Sequence, residues 1–147
     1  MSEAIDYDRD FHAWALRSAA LMRQGKLDEL DLEHIAEELE SMGASERREL
    51  LHRLQVLLLH LLKYQFQPER RGKSWRLAIN HQRTAIERLF EQSPSLRRLL
   101  DEGAIAKVYG KAVKDAVIET DLDPHAFPIT CPYPLEQVLA EDWLPED

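Results

Sequence analysis

A leucine-rich segment near the middle of the chain limits the fold more than any other feature of the sequence. Between residues 45 and 66, leucines recur at spacings of three and four: Leu50, Leu51, Leu54, Leu57, Leu58, Leu61 and Leu62. This spacing is typical of an α-helix, and leucines on more than one side of a helix must be covered on more than one side. We therefore expect a central helix from about Ser45 to Phe66 with other helices packed around it.

Four other segments have the same helical period, and almost no stretch alternates as a strand would. The first is expected over residues 6–24, closed by Gly25, and the second from the N-cap Asp28 to Gly43. In the second, Leu32, Ile35, Ala36 and Leu39 form an apolar face. A fourth helix is expected to start at the N-cap Ser74. A fifth is expected from Ser93 and Pro94 to Thr120, with a possible kink at Gly103.

The last part of the chain, residues 121–147, has a different character because it contains five of the seven prolines. Such a segment can neither form a central strand nor continue a helix. Its many apolar side chains predict a strap that packs across the helices and ends in a short helix, from about Leu135 to Glu141. The predicted fold is all-α: one domain over residues 1–147, with a compact bundle of about five helices over 1–120 and a Pro-rich C-terminal strap.

Cysteine content and the apolar runs bear on location. Cys131 is the only cysteine of the 147 residues, so no internal disulfide can form and the chain suits a reducing compartment. The start, MSEAIDYDRD, lacks the basic and then apolar pattern of a secretory signal. The longest apolar run, Leu54 to Leu62, is far shorter than the ~20 residues of a membrane-spanning helix. We expect a cytoplasmic protein that does not contact membranes.

Charge is unevenly distributed along a chain whose formal net charge is -8. Residues 1–43 hold 4 Lys and Arg against 11 Asp and Glu, residues 44–90 hold 10 against 4, and residues 91–147 hold 5 against 12. The basic residues of the middle third cluster in the segment 63–83, around QPERRGKSWRLAINHQR. The candidate binding residues there are Arg70, Arg71, Lys73, Trp75, Arg76 and Arg83.

Two interpretations of the basic segment 63–83 are open. Arginine forks beside a helix N-terminus are suited to holding phosphate or carboxylate groups. Alternatively, an acidic helix with Glu33, Glu37, Glu38 and Glu40 covers the arginines and leaves internal ion pairs. Trp75, at helical spacing with Ile79, is better suited to a core position than to stacking on a base. Nucleic acid is disfavoured by the overall acidity of the chain.

Two sequence motifs have the spacing of metal ligands on a helix. Glu49-Leu-Leu-His52 and Asp31-Leu-Glu-His34 resemble the Glu-x-x-His pairs of di-metal helical bundles, in which both ligands face inward. One motif has Asp in place of Glu, and His34 could instead pair with Glu38 at i, i+4. We expect no cofactor, and Asp31, His34, Glu49 and His52 remain candidates for a metal site.

The sequence also resembles a known family nearly from end to end. The resemblance lies in YDRDFHAWALRSAALMRQGKLDELDLEHIAEELESMG, SERRELLHRLQVLLLHLLKYQFQPERRGKSWRLAINHQR, SPSLRRLL and CPYPLEQVLAEDW. These stretches are similar to a bacterial, largely cyanobacterial family designated domain of unknown function number twenty-nine. The resemblance implies a compact all-helical protein, and it implies no reaction and no catalytic residue.

No motif in the sequence specifies a reaction, so we expect a small non-enzymatic protein-interaction module. Its acidic faces and basic middle suit charge-complementary contacts with an unknown protein partner or with a second copy. The alternative is an anion- or nucleic-acid-binding protein that uses the basic segment 63–83. A third hypothesis is a metal-dependent enzyme with carboxylate and histidine ligands in the bundle.

Overall fold

The computed structural model describes residues 7–146, which contain five α-helices and no β-strand. The α-helices are α1 (Phe11–Arg23), α2 (Leu32–Phe66), α3 (Lys73–Gln92), α4 (Glu102–Thr120) and α5 (Leu135–Leu139). Short 3₁₀ helices lie in the connections, at Leu27–Glu29, Pro68–Arg70, Pro94–Leu99 and Pro124–Ala126. The predicted all-α class is therefore confirmed. Within the described range, no helix combines the length and the hydropathy of a membrane span.

The chain divides into two compact units, Met1–Ala44 and Ser45–Asp147. We call them the N-terminal unit and the C-terminal unit. The boundary lies within α2, so the first part of this long helix belongs to one unit and the leucine-rich part to the other. The single domain expected over residues 1–147 stays a prediction.

The leucine-rich part of α2 forms the centre of the C-terminal unit, as predicted. Its leucines at 50, 54, 57, 58, 61 and 62 are almost completely buried. They belong to one apolar cluster with side chains from α3, α4 and the C-terminal segment, which include Ile79, Ile86, Tyr109, Ala112, Phe127, Tyr133 and Val138. Burial of this apolar surface is the main stabilising contribution to the unit.

The C-terminal strap is packed, as expected from its apolar side chains. The Tyr109 hydroxyl of α4 donates a hydrogen bond to the carbonyl oxygen of Pro128 at 2.6 Å, and Tyr133 donates to Oε1 of Gln65 on α2 at 2.6 Å. Burial raises the pKa of Tyr109 to about 12. The strap's helix α5 ends at Leu139, two residues before the predicted Glu141, and its Val138 is buried.

The prediction that Gly43 ends a helix is wrong. α2 continues through Gly43 for 35 residues, from Leu32 to Phe66. A glycine in a helix interior costs only about 1 kcal/mol relative to alanine, and good helix formers on both sides outweigh that cost. Gly25 behaves as predicted: its φ of 73° lies in the left-handed region that favours glycine, just after α1.

Several predicted helix starts are also wrong. The N-cap of α3 is Gly72, so Ser74 lies inside the first turn. Pro94 begins a 3₁₀ helix, and α4 starts only after Asp101, whose carboxylate accepts a hydrogen bond from the amide of Ala104 at 2.8 Å. Gly103 therefore lies in the first turn of α4 and marks no kink.

At the N-terminal end of the chain, the predicted helix starts are displaced as well. Asp28 lies in a 3₁₀ turn, and Asp31 caps α2 by accepting from the amide of His34 at 3.2 Å. α1 starts at Phe11 after the N-cap Asp10, and the predicted start at Asp6 lies outside the described residues.

Substituting the two glycines should have opposite effects on stability. At Gly43, a Cβ would meet no atom within 4 Å, so Gly43→Ala should raise the free energy of unfolding by about 0.5–1 kcal/mol through its higher helix propensity. Gly25→Ala should lower it by about 1–2 kcal/mol because alanine disfavours a positive φ. Urea unfolding followed by circular dichroism measures both. A destabilised Gly43→Ala variant would contradict the continuous helix.

Candidate functional site: an apolar stripe and a dispersed basic segment

Aromatic packing within the N-terminal unit occupies one side of the first part of α2. The Tyr7 ring stacks on His34 with centroids 4.2 Å apart and meets the Trp14 ring edge-on at 4.8 Å. The Tyr7 hydroxyl donates a hydrogen bond to Glu38, and this bond, with burial, raises the pKa of Tyr7 to about 12. The side of α2 that carries His34 and Glu38 is thus the side that packs within the unit.

A stripe of apolar side chains lies on another side of the same part of α2. We call Leu32, Ile35, Leu39 and Met42 the apolar stripe. At about 100° per residue, Leu32 and Leu39 differ by only about 20° around the helix, whereas His34 lies about 160° from Leu32. Leu32, Leu39 and Met42 are 65%, 63% and 65% exposed, and Ile35 is half-buried. The sequence places most of these residues on one apolar face, and the structure leaves that face largely uncovered.

The apolar stripe is part of a wider excess of exposed apolar groups in the N-terminal unit. Among residues 7–146, ten large hydrophobic side chains are exposed, and seven of them belong to this unit: Phe11, Leu16, Met22, Leu27, Leu32, Leu39 and Met42. Such a concentration on so small a unit is typical of a protein-interaction surface.

Acidic side chains flank the apolar stripe along one edge. Glu33, Glu37 and Glu40 lie on the same part of α2 and are exposed. Over residues 1–44 the N-terminal unit has four Lys and Arg against eleven Asp and Glu, so its formal net charge is -7. The surface of this unit is therefore both apolar and strongly acidic.

The predicted basic site is only partly assembled. Arg70 is exposed at the end of a 3₁₀ turn, and Lys73 and Arg76 are exposed in the first turns of α3. The N-cap of that helix is Gly72, which provides no side-chain cap. These three cations stay accessible near a helix N-terminus, as the anion-binding hypothesis requires.

Two other cationic groups of the basic segment have partners within the protein. Arg71 donates to the carbonyl oxygen of Tyr64, and its guanidinium lies 4.5 Å from the centroid of the Tyr64 ring. The Lys63 ammonium is 2.9 Å from Oε1 of Glu119 on α4 and 4.9 Å from the centroid of the Trp75 ring. Trp75 is half-buried in this arrangement. Both cations stabilise packing in the C-terminal unit.

Arg83 is buried and does not share the surface of Arg70, Lys73 and Arg76. Its Nε donates a hydrogen bond to the carbonyl oxygen of Val138 at 2.9 Å. One of its terminal nitrogens donates to the carbonyl oxygen of Gln137 at 3.4 Å. Burial lowers the pKa of the Arg83 guanidinium, an effect that Asp142 partly opposes. Arg83 therefore binds carbonyls at the end of α5 and holds the strap against α3.

Three of the four metal-ligand candidates have other contacts. His34 pairs with Asp31 at the start of α2, and Glu49 accepts from Arg53 Nε at 3.0 Å. His52 is exposed on the central part of α2. Over the part of the chain that the structure describes, no three His, Cys, Asp or Glu side chains form a group that could hold a metal ion.

The Asp31–His34 pair should be visible in a histidine titration. The hydrogen bond between them raises the pKa of His34 and lowers that of Asp31. Because the pKa of His34 is raised in the folded protein, the pair stabilises the fold to its full extent at pH values below the unfolded-state pKa of histidine. This contribution is lost as the pH rises through the folded-state pKa of His34. The lowered pKa of Asp31 stabilises the fold above its unfolded-state value and is lost as pH falls through the folded one.

In Asp31→Asn, the titration midpoint of His34 should move down towards the ordinary histidine value. The measurement is the proton chemical shift of the imidazole ring as a function of pH, with Asp28→Asn as the control because Asp28 lies in the preceding turn. An unchanged His34 midpoint in Asp31→Asn would contradict the pairing.

The chain is thus an all-helical protein with an exposed apolar surface on its acidic N-terminal unit. It belongs to the family described as domain of unknown function DUF29, whose family model matches residues 7–144. This match confirms the resemblance noted in the sequence, and the bacterial origin that the resemblance implies stays a prediction. No curated protein and no solved structure matches the chain.

Proposed function

We propose that the protein is an interaction module whose apolar stripe docks a helix of another protein. The carrying observation is the exposure of Leu32, Leu39 and Met42 on a side of α2 other than the one that packs through His34. Exposed apolar side chains in a contiguous row lose contact with water when a partner covers them, which favours association.

The spacing of the apolar stripe supports a helix as the docked element. Its members stand at i, i+3, i+7 and i+10 of an uninterrupted helix. These are the positions at which an amphipathic helix presents anchors to a groove or to a second helix. The row covers about two heptads, which suits a short docking contact better than a long coiled coil.

The charge of the N-terminal unit supports a basic partner. A formal charge of -7 over residues 1–44 attracts a helix that carries Lys or Arg beside its apolar face. Two copies of the same acidic unit repel each other, so the charge opposes self-association through this face. The proposed partner is therefore a protein with a basic amphipathic helix.

A defined peptide probe tests the proposal. The probe is a helical peptide of ~20 residues with leucines at i, i+3, i+7 and i+10 and lysines on its remaining faces. We expect saturable binding that weakens with salt and that is absent for the same leucine pattern with glutamates. Leu39→Gln/Met42→Gln should weaken it at least about tenfold, since buried apolar anchors dominate such contacts. Fluorescence anisotropy of the labelled peptide measures the affinity.

The matched control removes two exposed apolar side chains from the C-terminal unit. Leu77→Gln/Ile118→Gln should leave the peptide affinity within about twofold, because neither residue belongs to the proposed surface. Equal losses in both double variants would show non-specific hydrophobic binding and reject the proposal. Dimerisation in sedimentation equilibrium that Leu39→Gln/Met42→Gln abolishes would assign the stripe to a second copy instead.

A further inference from the structure

A groove in the C-terminal unit gathers cationic side chains that lie far apart in the sequence. It has a volume of about 740 Å³ and lies between the central part of α2, the 3₁₀ segment before α4 and the first half of α4. Its cationic residues are Arg47 and Arg48 from α2, Arg98 from the 3₁₀ segment, and Lys107 and Lys111 from α4. We call this the basic groove, and none of its cations belongs to the basic segment 63–83.

The interior of the basic groove is partly apolar. Leu51 and Leu99 are half-buried and Val108 is buried, whereas all five Lys and Arg side chains are exposed. The charged groups thus lie around an apolar floor, and the volume lies within the usual range for a small-molecule site, roughly 300–1,000 Å³.

Neutralising groups are scarce in the basic groove. Asp101 is the single carboxylate among its lining residues, and its Oδ1 accepts from the Ala104 amide at 2.8 Å as the N-cap of α4. Within residues 7–146, none of the five cations forms an ion pair with a carboxylate. Lys107 and Lys111 repel each other at i, i+4 on the same helix.

We propose that the basic groove binds a small ligand with two or more adjacent phosphate groups. Arginines from two elements provide planar forks that match phosphate oxygens, and lysines from a third provide point charges. Five cations that line one groove provide more positive charge than a single carboxylate would neutralise. The C-terminal unit has fifteen Lys and Arg against sixteen Asp and Glu, so its overall charge does not attract a long polyanion such as nucleic acid.

Inorganic tripolyphosphate is the probe that tests the groove. Titration calorimetry at roughly 0.15 M salt should show one site, with an affinity at least about tenfold higher than for orthophosphate. Arg48→Gln/Arg98→Gln/Lys107→Gln should reduce the tripolyphosphate affinity at least about tenfold. All three residues are exposed, so this variant should fold, and its unfolding curve verifies that.

The matched control removes the same charge from the basic segment. Arg70→Gln/Lys73→Gln/Arg76→Gln also replaces three exposed cations of the C-terminal unit, and it should leave the tripolyphosphate affinity within about twofold. Equal losses of tripolyphosphate affinity in the two triple variants would show that only the net charge matters, and would overturn the proposal. The absence of binding at this salt concentration would also overturn it. Affinity for single-stranded RNA that increases with its length would overturn it in favour of a nucleic-acid site.

Discussion

Replacing Leu57 with alanine should lower the free energy of unfolding by about 3–5 kcal/mol, the range for a large apolar side chain removed from a packed core. Leu57 is completely buried in the leucine-rich part of α2, where α3, α4 and the strap contribute to the same apolar cluster. Urea unfolding followed by circular dichroism gives the change. A loss this large would represent much of the stability of an ordinary domain.

The control for this prediction is Leu39→Ala on the same helix. Leu39 is exposed, so its truncation should change the free energy of unfolding by less than about 0.5 kcal/mol. The contrast separates a leucine that holds the fold together from a leucine that is proposed to bind a partner. Comparable losses at the two positions would mean that the apolar stripe is covered in the folded protein.

Replacing Arg83 with methionine should lower the free energy of unfolding by about 2–3 kcal/mol. The substitution retains the aliphatic volume but removes the donors that bind the carbonyl oxygens of Val138 and Gln137. A hydrogen bond from a charged donor contributes about 1.5–3 kcal/mol, and the buried carbonyls would lose their partner. Chemical unfolding measures the loss, and hydrogen exchange should show faster exchange of the α5 amides.

Arg76→Met is the matched control, one heptad earlier on α3. Arg76 is exposed, and its removal should change the free energy of unfolding by less than about 0.5 kcal/mol. If Arg83→Met were as mild as Arg76→Met, the assignment of Arg83 as the residue that holds the strap would be wrong, and Arg83 would return to the set of candidate anion-binding residues.

The fold was predictable where burial and periodicity agree. The leucine-rich part of α2 and the packed strap followed from their apolar spacing and proline content. The helix boundaries did not follow, because single-residue signals are weak against their context. The loss of helix stability caused by Gly43 is about as large as the gain from one helix cap. The neighbouring residues therefore decide whether the helix continues. Asp101 in Asp-Glu-Gly-Ala is a good N-cap signal, but Ser93 and Pro94 gave a competing one earlier in the chain.

The candidate surfaces were harder to predict than the helices. Periodicity shows which residues share a helix face, as for Leu32 and Leu39, but it does not show whether another element covers that face. Because Arg83 and Arg70 are close in the sequence, both were predicted to belong to one basic site. In the structure Arg83 is buried and Arg70 is exposed. The basic groove was missed because its cations come from three elements that are brought together only by tertiary packing.

The central claim is that a partner helix docks on the apolar stripe, and methyl chemical shifts test it directly. In protein with labelled leucine, isoleucine and methionine methyls, titration of the basic leucine peptide should shift Leu32, Ile35, Leu39 and Met42. The methyls of Leu57 and Leu61, in the core of the C-terminal unit, should not move. Shifts confined to other exposed methyls such as Leu77 and Ile118, with none in the stripe, would contradict the proposed docking surface.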